Sequence, residues 1–115
     1  MLIIFGKKLN NSKTVLYALT TIWGIGLSIS KKICNSLNIS KNTKFNDLTE
    51  PQKLQISTYI KQNLIVETQL KQSIRENVEN LITINSVKGF RHRSKLPVRG
   101  QRTHSNAKTC KRINF

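Results

Sequence analysis

The residues with the clearest chemical capacity lie in the last quarter of the chain, where cations alternate with uncharged hydrogen-bonding groups. The segment reads VKGFRHRSKLPVRGQRTHSNAKTCKRINF from Val87 to Phe115 and holds nine Lys and Arg with no Asp or Glu. Guanidinium and ammonium groups bind phosphate oxygens, and amide and hydroxyl groups add the donors and acceptors that a sugar–phosphate backbone needs. We define residues 87–115 as the basic arm, and its composition predicts a nucleic-acid ligand.

Side chains of the arm that can reach a phosphate or a base edge are the candidates for nucleic-acid contact. They are Lys88, Arg91, His92, Arg93, Lys95, Arg99, Gln101, Arg102, Thr103, His104, Asn106, Lys108, Lys111 and Arg112. Gly100 joins them because a glycine lets the backbone pass close to a ribose–phosphate surface. Phe90 either stacks on a base or fills a gap in the protein. The alternative for the whole segment is a solvated basic tail without a fixed target.

A second candidate is the sequence WGIGLSISKKI, from Trp23 to Ile33, in which a glycine-x-glycine turn leads into a helix with lysines. It is similar to the hairpin of helix-hairpin-helix nucleic-acid binders. Free backbone amides at such a turn and the helix dipole favour phosphate, so Gly24, Gly26, Lys31 and Lys32 are predicted to form a phosphate-binding turn. A side chain at Gly26 should then disturb the helix pairing. A plain interhelical turn is the alternative.

Catalysis and metal binding find little support in the residue types. Cys34, Cys110, His92 and His104 show no CxxC or HxxxH spacing that would join two of them locally. No acid–base pair stands out among the carboxylates, which read as helix caps or exposed helix positions. These are Asp47, Glu50, Glu67, Glu76 and Glu79. The sequence therefore predicts no enzyme, no cofactor, no metal and no small-molecule substrate.

Length and charge restrict the class of protein further. The 115 residues suffice for one modest domain, and 20 Lys and Arg against five Asp and Glu give a formal net charge of +15. Self-repulsion of that size weakens a compact state until a polyanion neutralises it. No window approaches the roughly 20 apolar residues of a membrane span. Cys34 and Cys110 lie far apart in sequence, which argues against a disulfide and favours a reducing compartment.

The elements that must position these residues are predicted to be helices. Ser12 is a candidate cap for a first helix, and a second is expected from about Leu27 to Leu37. Thr49 and Gln52 have the spacing of a capping box that starts a third helix. A fourth helix should follow from about Thr68 to Ile84, with the buried stripe Leu70, Ile74, Val78, Leu81 and Ile82. The aromatic side chains Tyr17, Trp23 and Tyr59 are expected in the core.

From Val87 onward the apolar periodicity disappears, which predicts a change in architecture. Gly89, Pro97 and Gly100 interrupt the arm, and its high charge leaves too few apolar residues for a core. The predicted fold class is therefore all-α: a small helical domain over residues 1–86, followed by an extended basic arm over residues 87–115 that a partner neutralises and orders.

The residues also carry a family likeness. KGFRHRSKLPVRGQRTHSNAKT, from Lys88 to Thr109, resembles the signature of the small-subunit ribosomal protein family S thirteen. ALTTIWGIGLSISKKI, from Ala18 to Ile33, and NDLTEPQ, from Asn46 to Gln52, look like the first helices and the third helix of that family. The resemblance covers almost the whole chain, and it implies a helix-two-turns-helix domain with an extended arm in the head of the small ribosomal subunit.

The resemblance also implies partners. They are small-subunit rRNA, ribosomal protein S nineteen, the large subunit across the interface, and peptidyl-site tRNA near the arm's tip. Positions that match the family's rRNA-facing residues are Lys88, Arg91, His92, Arg93, Arg99, Arg102 and Asn106, with Gly100 allowing close approach. The chain departs from many members at Ser94 and Lys95, where they have Arg and Gly, and in the short ending after Arg112.

Location and rival functions follow from the same observations. The ending RTHSNAKTCKR resembles mitochondrially encoded members, and Asn, Ile and Lys make up 40 of 115 residues, which we interpret as the mark of an A+T-rich genome. The resemblance implies a mitochondrial ribosome in the matrix and a protein encoded in the organelle, and our expectation of no cleavable leader agrees with it. The rivals are a nonribosomal nucleic-acid-binding module with a helix-two-turns-helix domain, such as the one in DNA glycosylases, and a free regulatory RNA binder.

Overall fold

A computed structural model describes residues 3–113 of the chain, and these residues are mostly helical. The predicted all-α class is confirmed. The elements in chain order are β1 (Ile3–Ile4), β2 (Lys7–Lys8), α1 (Val15–Leu19), α2 (Leu27–Ser36), a 3-10 turn (Phe45–Asp47), α3 (Glu50–Asn63), α4 (Glu67–Thr83), α5 (Val87–Arg93) and α6 (Lys108–Arg112). The chain divides into two compact units, one ending at Leu70 and the other beginning at Lys71. Met1, Leu2 and the last two residues of the predicted arm lie outside the described residues.

The first described element is a short antiparallel hairpin. Ile3 pairs with Lys8 and Ile4 with Lys7. The connecting residues Phe5 and Gly6 both have positive φ, 51° and 76°, which is the conformation of a two-residue type I′ hairpin turn. Ile4 is only 2% exposed, so the hairpin contributes one side chain to the core.

The core of the first unit is built mainly from aliphatic side chains of α1, α2 and α3 and the segments between them. Its fully buried members include Val15, Leu19, Ile33, Phe45 and Ile56. Within this core the Ser30 hydroxyl donates to the Leu16 carbonyl at 2.7 Å and joins α2 to α1. The buried Ser30 hydroxyl thus has a hydrogen-bond partner, which a buried polar group requires.

The start of α1 differs from the prediction. Ser12 does not cap it, because the Ser12 hydroxyl donates to the Asn10 side chain at 2.6 Å and the helix begins only after Thr14. The amide of Val15 instead donates to the Thr43 carbonyl at 2.9 Å. The start of this helix is therefore fixed by a hydrogen bond between residues nearly thirty positions apart. The spacing of nearby cap residues cannot reveal such a bond.

The later helices agree more closely with the prediction. α3 has the expected capping box, in which the Thr49 amide donates to the Gln52 side chain at 3.1 Å. Helix α4 has the expected extent within a residue at each end, but its stripe is only partly buried. Val78 is 8% exposed whereas Ile74 is 38% exposed, so the prediction for Ile74 was wrong.

Glu67 is the clearest correction in the helical part. It was expected to be a helix cap or to occupy an exposed helix position, and it does lie at the start of α4, yet it is 7% exposed and has a positive φ of 48°. Its carboxylate accepts a hydrogen bond from the Trp23 amide at 2.8 Å, and its own amide donates to the Trp23 carbonyl at 2.9 Å. This two-way exchange fastens the start of α4 to the turn after α1.

The basic arm contains two helices that the sequence did not predict. α5 begins after Ser86, whose hydroxyl accepts from the Gly89 amide at 3.0 Å and so caps the helix. Gly89 lies against α4, since a Cβ there would come within 2.1 Å of the Leu81 carbonyl oxygen. Residues 94–107 are not helical, and α6 follows them. Helix α5 therefore forms without the apolar stripe that was used to predict helices. The Ser86 cap and the close contact of Gly89 with Leu81 stabilise it instead.

Candidate nucleic-acid interface

The predicted contact residues of the arm are almost all accessible. Only Arg91 and His92 are half-buried, and the other thirteen predicted arm positions, Lys88 and Arg93 among them, are exposed. Nine cations lie between Lys88 and Arg112 and the arm contains no acidic side chain, so no carboxylate of the arm can neutralise them. The exposed cations make this segment the most positive part of the chain.

The first part of the interface is the end of α5. The Arg91 guanidinium donates to the Pro97 carbonyl at 3.0 Å, and the Leu96 amide donates to the Arg91 carbonyl at 2.9 Å. Lys95 has a positive φ of 56°, which turns the chain back over the helix end. Arg91 therefore has a structural partner within the arm, which sequence spacing did not reveal.

The middle of the interface is the exposed loop that contains Arg99, Gly100 and Arg102. The Arg99 amide donates to the Gln101 side-chain oxygen at 3.0 Å, so this oxygen already has a partner. Gly100 has a φ of 75°, and no atom lies within 4 Å of the position where its Cβ would be. Its role as a glycine is thus conformational, and the space beside it is open to a ligand backbone. The loop also exposes Thr103, His104 and Asn106.

The last part of the interface is α6, a helix of five residues that begins after Ala107. It exposes Lys108, Lys111 and Arg112. Side chains of α5, of the loop and of α6 line a common cavity of about 100 Å³. The lining residues are His92, Lys95, Leu96, Val98, Cys110 and Ile113. The arm therefore returns on itself, and Leu96, Val98, Cys110 and Ile113 form the apolar part of this lining.

The structure separates the two glycines of the turn before α2. Gly24 has a φ of 104°, and a Cβ there would lie 2.7 Å from the Leu70 side chain. Gly26 has a φ of −96° and open space around it, so the prediction that a side chain at Gly26 disturbs the helix pairing loses its physical basis. Because Gly26 has no side chain, it cannot cap the first amides of α2. Lys31 and Lys32 are exposed on the same helix.

Aromatic side chains depart from the prediction. Tyr17 and Trp23 were expected in the core, but they are 54% and 45% exposed. Tyr59 does pack against the core, as predicted. Phe90, for which stacking and gap-filling were both open, is 56% exposed and therefore does not plug the protein interior.

The remaining candidates for chemistry are the two cysteines and the residue types that bind metals. Cys34 and Cys110 are free thiols. Burial raises the pKa of the Cys34 thiol, against a smaller opposing effect of the Lys41 charge. Within residues 3–113 no three His, Cys, Asp or Glu side chains come together as metal ligands would. Among the same residues no helix is both long and apolar enough to span a bilayer.

Comparison with known proteins gives a consistent result. Residues 3–109 match the family described as ribosomal protein S13/S18. The small ribosomal subunit protein uS13m of Marchantia polymorpha is 45% identical over 112 residues, which is 97% of this chain and 93% of that protein. The protein uS13 of Carsonella ruddii is 45% identical over 111 residues, covering 96% and 93% of the two chains, and that of Neorickettsia sennetsu is 43% identical over 106 residues, covering 92% and 86%.

The match covers the helical elements and most of the basic arm, including the loop that exposes Arg99 and Arg102. Identity of this extent over nearly the whole chain exceeds what a shared fold alone requires. The chain belongs to the ribosomal protein S13/S18 family and is a protein of the small ribosomal subunit.

Proposed function

We propose that this protein is a structural, nonenzymatic constituent of the small-subunit head and that its basic arm binds small-subunit rRNA. The observation that carries the proposal is the set of nine arm cations, nearly all exposed, with no acidic side chain among them. Phosphates supply the opposite charge that the arm lacks, and release of their counterions drives binding. Arg99, Arg102 and the three cations of α6 are its main phosphate contacts.

The turn before α2 forms a second, weaker phosphate contact. The exposed Lys31 and Lys32 and the uncapped first amides of α2 favour an anion there. Gly24 supports this contact by allowing the turn, and Gly26 leaves space for the phosphate. The lysines lie on a stable helix of ten residues, so this contact positions the protein while the arm supplies most of the affinity.

Membership of the family supports a proposal for the neighbours in the assembled particle. We assign this chain to contacts with ribosomal protein S nineteen and with the large subunit across the interface, with the arm near peptidyl-site tRNA. The division into a helical domain over 1–86 and an arm over 87–115 remains a functional proposal. Support comes from the cluster of cations after Val87 and from the start of α5 at that residue.

We further propose that the particle is a mitochondrial ribosome. The similarity to a mitochondrial relative and the abundance of Asn, Ile and Lys support this location. Two bacterial relatives are 45% and 43% identical, against 45% for the mitochondrial one, so a separate experiment tests the location. Immunodetection in purified mitochondria, with and without protease outside the intact organelle, distinguishes a protected matrix protein from one elsewhere in the cell.

Sucrose-gradient fractionation of a lysate tests the main proposal. The protein should sediment with the small subunit and with whole ribosomes, and it should shift to the small subunit alone when Mg²⁺ is lowered and the subunits part. Recovery mainly in the soluble pool would favour a free regulatory RNA binder. Tight binding to duplex DNA in preference to small-subunit rRNA would favour the nonribosomal module.

A further inference from the structure

The corner between α4 and α5 has an unusual surface. Ile84, Val87 and Phe90 lie within seven residues and are 70%, 77% and 56% exposed. Phe90 also lines a small cavity together with Ile82, Asn85 and Arg93. On α5 Phe90 and Arg93 are three residues apart, so they share one face of the helix. An aromatic ring, an amide and a guanidinium thus surround one opening.

We propose that this cavity, the corner pocket lined by Ile82, Asn85, Phe90 and Arg93, binds one unstacked nucleobase of RNA. Phe90 is the stacking surface, the Asn85 amide meets the edge of the base, and Arg93 contacts the adjoining phosphate. The inference rests on the proposed function, because it names one part of the same RNA contact. From the sequence, Arg93 was predicted as an RNA contact and Phe90 was left open between stacking on a base and filling a gap, whereas Ile82 and Asn85 were not candidates.

The size and chemistry of the pocket favour a base over a free metabolite. Its volume is about 100 Å³, well below the roughly 300–1,000 Å³ of pockets that enclose small molecules. A ring that enters from solvent while its sugar and phosphate stay outside fits such an opening. Unpaired RNA bases are recognised by stacking on aromatic side chains and by hydrogen bonds to their edges. The positive arm around the pocket supplies charge complementarity to the attached backbone.

The polar groups of the pocket are available for this role. Within residues 3–113 neither the Asn85 amide nor the Arg93 guanidinium has a side-chain hydrogen bond or an ion pair. Asn85 has a positive φ of 54°, and its backbone amide donates to the Ile82 carbonyl at 3.0 Å. The backbone hydrogen bond therefore fixes the position of Asn85, while the side-chain amide of Asn85 has no partner within residues 3–113 and can bind a ligand.

The pocket is also held in shape before any ligand arrives. The Ser86 hydroxyl donates to the Leu81 carbonyl at 2.9 Å and accepts from the Gly89 amide at 3.0 Å. The close approach of Gly89 to the Leu81–Ile82 backbone leaves no room for α5 to shift inward. A preformed site loses less conformational entropy on binding, so one stacked base can contribute measurably.

The test measures binding of the full chain to a transcript of the small-subunit rRNA over a series of KCl concentrations. Phe90→Ala should weaken binding roughly tenfold or more at every salt concentration, as loss of one stacked base does, and leave the salt slope unchanged. Phe90→Trp should bind within about threefold of wild type, because it keeps a stacking surface. Arg93→Gln should instead reduce the slope by about 0.7, the value for one phosphate on single-stranded RNA.

Two further variants complete the design. Leu54→Ala removes a side chain that is 68% exposed on α3, so it controls for loss of any exposed apolar group and should bind like wild type. Asn85→Gly keeps the positive φ without strain and removes the amide, and it should weaken binding severalfold. Circular dichroism of each variant checks that α4 and α5 remain folded. If the Phe90→Ala variant does not fold, Phe90→Leu serves as a milder replacement.

The outcomes separate the inference from the proposed function. If wild type does not bind the rRNA, the proposed function fails. If wild type binds and Phe90→Ala binds equally well, the pocket is not a base site and this inference is overturned. Normal binding of Phe90→Ala to rRNA together with its loss from assembled subunits would assign the pocket to a protein neighbour, which also overturns it. Ultraviolet crosslinking of Phe90 to a single nucleotide would confirm it.

Discussion

The residues before Glu67 and the basic arm after Val87 are stabilised in different ways. In the described chain every buried apolar side chain precedes Glu67 except Val78 and Pro97. The arm has no such core, and Arg91, Gly89 and Ser86 hold it through hydrogen bonds and one close backbone contact. The first region is stabilised by burial of apolar side chains. The arm contains cations without any acidic side chain, and only a few contacts stabilise it. The arm therefore gains the most from a polyanionic partner.

The largest effect expected from this comparison is on RNA affinity. Replacing Arg99, Arg102, Lys108, Lys111 and Arg112 by Gln should lower affinity for small-subunit rRNA by about three orders of magnitude near 0.1 M salt. Each lost phosphate contact on single-stranded RNA removes about 0.7 from the salt slope, so the slope should fall by about 3.5. Filter binding or fluorescence anisotropy over a salt series measures both quantities.

A matched control uses five exposed lysines of the helical part: Lys7, Lys8, Lys13, Lys41 and Lys44. Their replacement by Gln changes the net charge by the same amount, from +15 to +10 after subtraction of five charges. We expect less than about a tenfold loss, because these residues add only to the general field. Equal losses in the two variants would show that total charge, and not the arm, determines binding.

The next effect separates two phenylalanines. Phe45 is fully buried in the core whereas Phe90 is 56% exposed in the arm. Phe45→Ala should lower the free energy of unfolding by about 3–5 kcal/mol through lost burial and a residual cavity. Phe90→Ala should change it by less than about 1 kcal/mol, as surface substitutions do. Urea unfolding followed by circular dichroism measures both, and similar losses for the two variants would refute the contrast in stabilisation.

A smaller effect distinguishes the two glycines of the turn before α2. Gly24→Ala should cost about 1–3 kcal/mol, because an L-residue is strained at a φ of 104° and its Cβ would press on Leu70. Gly26→Ala should remain within about 0.5 kcal/mol of wild type, since its φ of −96° suits any residue and nothing lies near its Cβ position. Thermal unfolding of both variants measures the two losses of stability. A larger loss for Gly26→Ala than for Gly24→Ala would contradict the claim that the turn requires a glycine at Gly24.

The sequence predicted the fold best where local signals decide it. Thr49 and Gln52 located the start of α3 because a capping box involves only neighbouring residues. Periodicity located α2 and α4 to within a residue or two for the same reason. The exchange between Trp23 and Glu67 was missed because it joins residues 44 positions apart, and no spacing rule connects them.

The candidate interface shows a similar division. Charge and residue type predicted which arm side chains are exposed, because solvated cations follow directly from composition. They did not predict α5, although Ser86 before Val87 is a recognisable cap signal, because Gly89 and the high local charge both disfavour a helix. Nor did they predict that Arg91 would bind Pro97, because that contact depends on how the loop turns at Lys95.

The smallest expected effect compares the two regions in one molecule through its two thiols. Cys34 lies fully buried in the core, and Cys110 is half-buried in α6. Burial raises the pKa of the Cys34 thiol, so less of it is thiolate at neutral pH and its thiolate fraction rises only at higher pH than for an ordinary thiol. A maleimide or disulfide reagent should therefore modify Cys110 first, and Cys34 only as fast as the core opens.

The same rates can be measured again in the presence of small-subunit rRNA. Saturating rRNA should slow modification of Cys110 severalfold, because the neighbouring Lys108, Lys111 and Arg112 place α6 against phosphates in the proposed complex. The rate at Cys34 should not fall by as much, and Phe45→Ala should raise that rate without changing the rate at Cys110. Cys34→Ser and Cys110→Ser, each followed by mass spectrometry, assign the two rates. Equal protection of both thiols by RNA would mean that the polyanion stabilises the core as much as the arm, and the two regions would then have to be treated as one cooperative unit.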